Sequence, residues 1–195
     1  MEIKDYFEEY KKSKVALCHM ALQVYGTSIK TDEADRMHIK YNKDDVNFLN
    51  EIDVCSHEYN PMGERVWQVL NIEKPVITFE ELWNYLELFA NEPRKENINY
   101  YKEYLKISLL LVYLVLDYYS CTITKEEADN RKLNYDEVFD LEHNEVSVCH
   151  HYFEGAGEHA WRLFELEDDI IPVSQFEDKK YELKQKLLKL EKNGA

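Results

Sequence analysis

The sequence predicts a mainly α protein, with room for small β-hairpins, built as a tandem duplication of a helical unit of about 94 residues. Three observations predict it. Residues 2–77 align without a gap on residues 96–171, with 23 of 76 positions identical. Apolar residues recur at helical spacing through both copies. Only five glycines and four prolines interrupt 195 residues. The expected repeats are residues 1–94 and 95–195, the second ending in an amphipathic helix. Units this small bury a limited share of their surface, so a pseudo-twofold pair around a shared core is expected.

The first helix is expected over 3–25, where Ile3, Tyr6, Phe7, Tyr10, Leu17, Met20, Ala21 and Val24 keep near-3.6 spacing and Gly26 is placed to end it. Its copy at 98–119 carries Leu105 and Ile107 where the first has Lys11 and Ser13. That copy is apolar all round, as a buried central helix is. Short helices are expected to start at 31–35 and at 124–128, where Thr124 and Glu127 have capping-box spacing. Residues 138–141 and 146–149 read as two strands about a turn, and 46–49 with 52–55 as a weaker version. Helices follow at 63–70 and 157–164, with Trp67 and Trp161 on their apolar faces; Pro75 and Pro172 mark loops. The last helix of each repeat is expected at 79–91 and 176–192, capped by Thr78-x-x-Glu81 and Ser174-x-x-Glu177. Residues 92–96 join the repeats.

The net charge is −15, and it is uneven. Residues 126–178 hold sixteen acidic side chains against Arg131, Lys132 and Arg162, whereas 179–192 hold six lysines against Glu182 and Glu191. Such a balance repels nucleic acid and anionic membrane and steers a basic partner inward. The longest apolar run, 107–116, is too short to span a bilayer. No apolar stretch behind a basic start follows Met1, so the four cysteines are expected to be reduced thiols of a cytoplasmic protein.

Both copies carry Cys-x-His-x5-Gly-Glu-x2-Trp, from Cys55 to Trp67 and from Cys149 to Trp161. Cys55, His57, Cys149 and His151 supply the ligand types of a structural zinc site, although zinc cysteines more often stand two to four residues apart. The other reading makes the cysteines small buried residues. Glu64 and Glu158, near His57, His151 and His159, have the elements of acid–base chemistry, but a glutamate in a first turn and a core tryptophan explain them as structure. Asp32-Glu33-x-Asp35 and Glu126-Glu127-x-Asp129 have the acidic spacing of magnesium sites, without a basic residue singled out beside them for phosphate. Phosphate loops and common hydrolase motifs are absent.

The expectation is an acidic cytosolic binding protein that inhibits or neutralises a basic protein, a toxin or a nucleic-acid enzyme, in the manner of immunity proteins and phage inhibitors. It is expected to be a monomer or homodimer that contacts neither nucleic acid nor membrane. Contact residues are expected on the second repeat: Glu126, Glu127, Asp129, Asp136, Glu137, Asp140, Glu142, Glu165, Asp168 and Asp169. The alternatives are a metal-dependent enzyme, or a zinc-stabilised regulatory module that dimerises through tyrosine-rich helices.

Overall fold

Asp5 opens the first helix by accepting the Phe7 N–H at 3.0 Å, and α1 runs Tyr6–Val24. The computed structural model describes residues 5–57, 61–135, 144–151 and 155–193. Their chain divides into two compact units, Lys14–Glu96 and Met1–Ser13 with Asn97–Ala195. Among the described residues there are eight α-helices and two three-stranded antiparallel sheets, so the protein is mainly helical with more sheet than hairpins alone.

In the unit Lys14–Glu96, the rest of α1 leads into β1 (Gly26–Lys30), α2 (Thr31–Arg36), a 3-10 turn (Lys43–Asp45), β2 (Glu51–Ser56), α3 (Pro61–Leu70), β3 (Val76–Thr78) and α4 (Phe79–Ala90). The sheet order is β1-β2-β3, with Lys30 opposite Glu51 and Cys55 opposite both Gly26 and Ile77. Ile52 and Val54 alternate onto one face and close over Ala34 and Val76. Cys55 points to the other face and is equally buried. Thr78 and Glu81 form a reciprocal capping box at the start of α4.

The other unit follows the same order: α5 (Tyr100–Tyr118), β4 (Ser120–Thr124), α6 (Lys125–Asn130), β5 (Glu145–His150), α7 (Gly155–Leu163), β6 (Ile170–Pro172) and α8 (Val173–Asn193). Asn99 and Thr124 cap α5 and α6 by accepting backbone N–H groups of Lys102 and Glu127. The buried residues of α5, from Leu105 to Val115, pack largely against α8 through residues such as Phe176 and Leu183. Aromatic rings of Tyr6, Phe7 and Tyr10 meet those of Tyr100, Tyr101 and Tyr104, which ties the first turns of α1 to α5.

Several expectations are corrected. Residues 46–49 form no strand, because the Asn47 side chain accepts from Leu49 and Glu51 N–H and Asn50 turns left-handed at φ 62°. The partners of β2 are therefore β1 and β3; the segment 138–141 lies outside the described residues. Gly26 is no left-handed cap: it starts β1, where a Cβ would meet the Leu22 carbonyl oxygen at 2.3 Å. Pro172 ends β6 rather than marking a loop, and α8 begins directly after it, so Ser174 lies inside the first turn.

Candidate functional site

The repeated Cys-x-His-x5-Gly-Glu-x2-Trp segment is built around its tryptophan. Trp67 and Trp161 are each 2 % exposed. Their indole N–H groups donate to the carbonyls of Lys74 at 2.9 Å and Asp168 at 3.0 Å. His57 lies 5.2 Å from the Trp67 ring and Tyr25 5.6 Å; for Trp161 the distances to His151 and Tyr119 are 4.7 and 6.1 Å. The glycine is required by close approach: a Cβ on Gly63 would meet His57 Cβ at 2.8 Å, and on Gly157 would meet His151 Cβ at 2.7 Å. Glu64 and Glu158 face along their own helices, bonding Gln68 and Arg162. These contacts account for the motif by packing.

Burial pushes the Cys55 thiol up to about 12 and that of Cys149 up to about 11, the latter despite a Ser120 hydroxyl at 3.7 Å. Cys18 is likewise raised to about 12. Among the described residues no group of three His, Cys, Asp or Glu side chains is arranged to hold a metal. Cys121 is exposed and the other three cysteines are buried. Titration of the native protein with a thiol reagent is therefore expected to modify Cys121 alone. A chelator that opened Cys55 or Cys149 to the reagent would instead favour the zinc reading.

The acidic candidates between 126 and 169 divide into three groups. Asp136, Glu137, Asp140 and Glu142 lie outside the described residues. Glu127 and Asp169 are brought together through Arg131, whose guanidinium is 3.2 Å from Glu127 and 3.9 Å from Asp169. His150 lies 3.9 Å from Asp169, yet burial keeps its imidazole below its ordinary pKa. Asp129 accepts the Tyr135 hydroxyl at 2.6 Å, as Asp35 accepts that of Tyr41 at 3.1 Å. Asp32 of the first triplet lies near Arg36. Glu126, Glu165 and Asp168 are exposed, Glu165 with a left-handed φ of 58°. Arg131 thus joins the end of α6 to Asp169, just before β6.

Sequence reasoning missed an exposed aromatic set on the other unit. Phe48 is 94 % exposed on the Asn47 turn, and Trp83 on α4 is 49 % exposed. At the 94-residue offset their counterparts are Glu142 and Glu177. That substitution of apolar for acid was the available signal. No protein-family model, curated protein or solved structure matches the chain. Among the described residues, no helix is long and apolar enough to cross a membrane.

Proposed function

We propose that this protein binds a basic protein and neutralises it by covering a cationic surface, as a cytoplasmic inhibitor of the immunity or phage type. The observation that supports this reading is Arg131, which pairs with both Glu127 and Asp169, two carboxylates distant in sequence. Exposed carboxylates at such a face raise the encounter rate with a cationic partner and fix its orientation more than they raise affinity. The proposed face takes in Glu126, Glu127, Asp129, Glu165, Asp168 and Asp169, and the reading extends it to Asp136, Glu137, Asp140 and Glu142.

The reading includes an origin by duplication, with pseudo-twofold repeats around a shared core. The recurrence of element order supports it. So does the pairing of left-handed residues His38 with Lys132 and Asn50 with Asn144, each pair 94 residues apart. An inhibitor that descends from such a pair is free to keep one copy acidic and change the other.

The test uses Glu126→Lys, Asp129→Lys and Asp168→Lys together, leaving the Arg131 pairs intact. Binding of the full chain to a basic protein captured from the native host is expected to weaken at least tenfold at low salt, with a flatter salt dependence. Equal affinity of variant and parent at low salt would reject the acidic face.

A further inference from the structure

The unit Lys14–Glu96 has an open cleft of about 530 Å³ whose lining includes Tyr41, Asp45, Asp53, Phe79, Glu80 and Trp83. Three aromatic rings and three carboxylates share it, and no lysine or arginine is among the described residues that line it. Its parts are positioned from different elements. The 3-10 turn supplies Asp45, the middle strand β2 supplies Asp53, and the first turns of α4 supply Phe79, Glu80 and Trp83. Asp53 is oriented by the Ser28 hydroxyl, which donates to it at 2.7 Å. Trp83 is held edge-on by His19, with ring centroids 5.7 Å apart.

The other unit has a cleft at the same place, about 450 Å³, lined by Tyr135, Ser147, Val173, Ser174, Glu177 and Asp178 among others. The shared position shows what the fold itself leaves open, and the differences show what each copy has put there. Glu177 stands where the first cleft has Trp83, Val173 where it has Phe79, and Ser147 where it has Asp53. A glutamate at the equivalent place marks the Trp83 position as one that water tolerates. A half-exposed indole there is not needed by the core, which is closed by Trp67.

We infer that the cleft of the Lys14–Glu96 unit is a receptor for an arginine side chain of the basic partner, with the guanidinium laid on Trp83 and paired with Asp53 and Glu80. The inference rests on the proposed function for its partner, but not for its site. Guanidinium is planar and weakly hydrated, stacks on aromatic faces and bonds carboxylates in a fork, so an indole beside carboxylates suits it better than it suits a lysine ammonium.

The cleft carries its own reporter. Trp67 and Trp161 are buried and Trp83 is the exposed tryptophan of the three in the sequence. A capped tetra-arginine peptide titrated into the full chain is expected to change Trp83 emission and to bind more tightly than tetra-lysine. Asp53→Asn with Glu80→Gln is expected to weaken tetra-arginine about tenfold, Trp83→Ala similarly, and Trp83→Phe much less. These side chains are exposed, and unchanged circular dichroism confirms that the variants fold. The Glu126, Asp129 and Asp168 reversal should leave the Trp83 response in place. Equal affinity of the parent and the Asp53→Asn, Glu80→Gln variant for tetra-arginine would overturn the cleft, as would a Trp83 signal abolished only by the reversal. A working cleft on a protein whose reversal variant still binds its basic partner would reject the acidic-face function while keeping the site.

Discussion

Trp161→Ala is expected to destabilise its unit by about 3–5 kcal/mol, measured by chemical denaturation followed by circular dichroism. The indole fills the centre of its unit: His151 and Phe176 pack on it at 4.7 and 5.1 Å, and its N–H satisfies the Asp168 carbonyl. Removing it opens a cavity and orphans that carbonyl together, and the two costs add. Trp161→Phe should lose less, because it keeps a ring against Tyr119 and gives up chiefly the hydrogen bond. Trp67→Ala should act alike in the other unit, where Lys74 takes the place of Asp168. An unchanged denaturation midpoint in both alanine variants would mean that the repeated motif is not a packing device, and would favour the reading of His57 and His151 as ligands.

The same motif shows how far the sequence can be read. Its tryptophans, glycines and cysteines were legible because they recur at one offset in the sequence, and a glycine that side chains crowd leaves a fixed position in each segment. The long helices and the caps at Thr78 and Thr124 were legible for a similar reason: each depends on residues within one or two turns of one another. The middle strands were legible at 52–55 and 146–149, which fall in β2 and β5, but their partners were not. β1 and β3 are five and three residues long, and they are strands because β2 lies between them. No local pattern in Gly26–Lys30 requires that pairing. The hairpin reading of 46–55 failed on one side chain, Asn47, whose hydrogen bonds turn the chain before a ladder can form.

Counting charge located the acidic residues between 126 and 178, but counting does not show that Glu127 and Asp169 share Arg131 or that Asp129 holds a tyrosine. Those carboxylates are engaged, whereas Glu126 and Asp168 are exposed. On the other unit, charge counting pointed away from the cleft, since Lys14–Glu96 is the less acidic part of the chain. What distinguishes the cleft is the difference between the two units at positions 83, 79 and 53 and their counterparts 94 residues on, a comparison that needs the offset and the fold together.

Replacing Glu92 with alanine is expected to cost about 3–5 kcal/mol, because it takes the paired carboxylate away from a buried cation. Lys14 has a side-chain exposure of 7 %, with its ammonium 2.9 Å from Glu92 and 3.6 Å from the centre of the Phe89 ring. Lys95 also reaches Glu92, at 3.1 Å. Burial holds the Lys14 ammonium below its ordinary value of 10.5, and the hydrogen bond and charge of Glu92 only partly offset this. Burial also works to raise the Glu92 carboxyl, but the hydrogen bonds and charges of Lys14 and Lys95 outweigh it and hold the acid below its usual range. The two groups thus act in opposite senses. Since the folded carboxyl is the stronger acid, its contribution is present above the unfolded pKa of about 4.3 and is lost as pH falls through the folded value. The lysine works the other way: the unfolded chain holds its proton more tightly, so the penalty for a buried ammonium is full at neutral pH and is relieved as pH rises from the folded pKa towards 10.5. Lys14→Met with Glu92→Leu removes both groups and is expected to be neutral or stabilising by about 1–4 kcal/mol. That double variant should also flatten the stability profile at its acid and alkaline ends. A double variant as unstable as Glu92→Ala would show that the pair is held by geometry its apolar replacements cannot reproduce, rather than by the burial of charge.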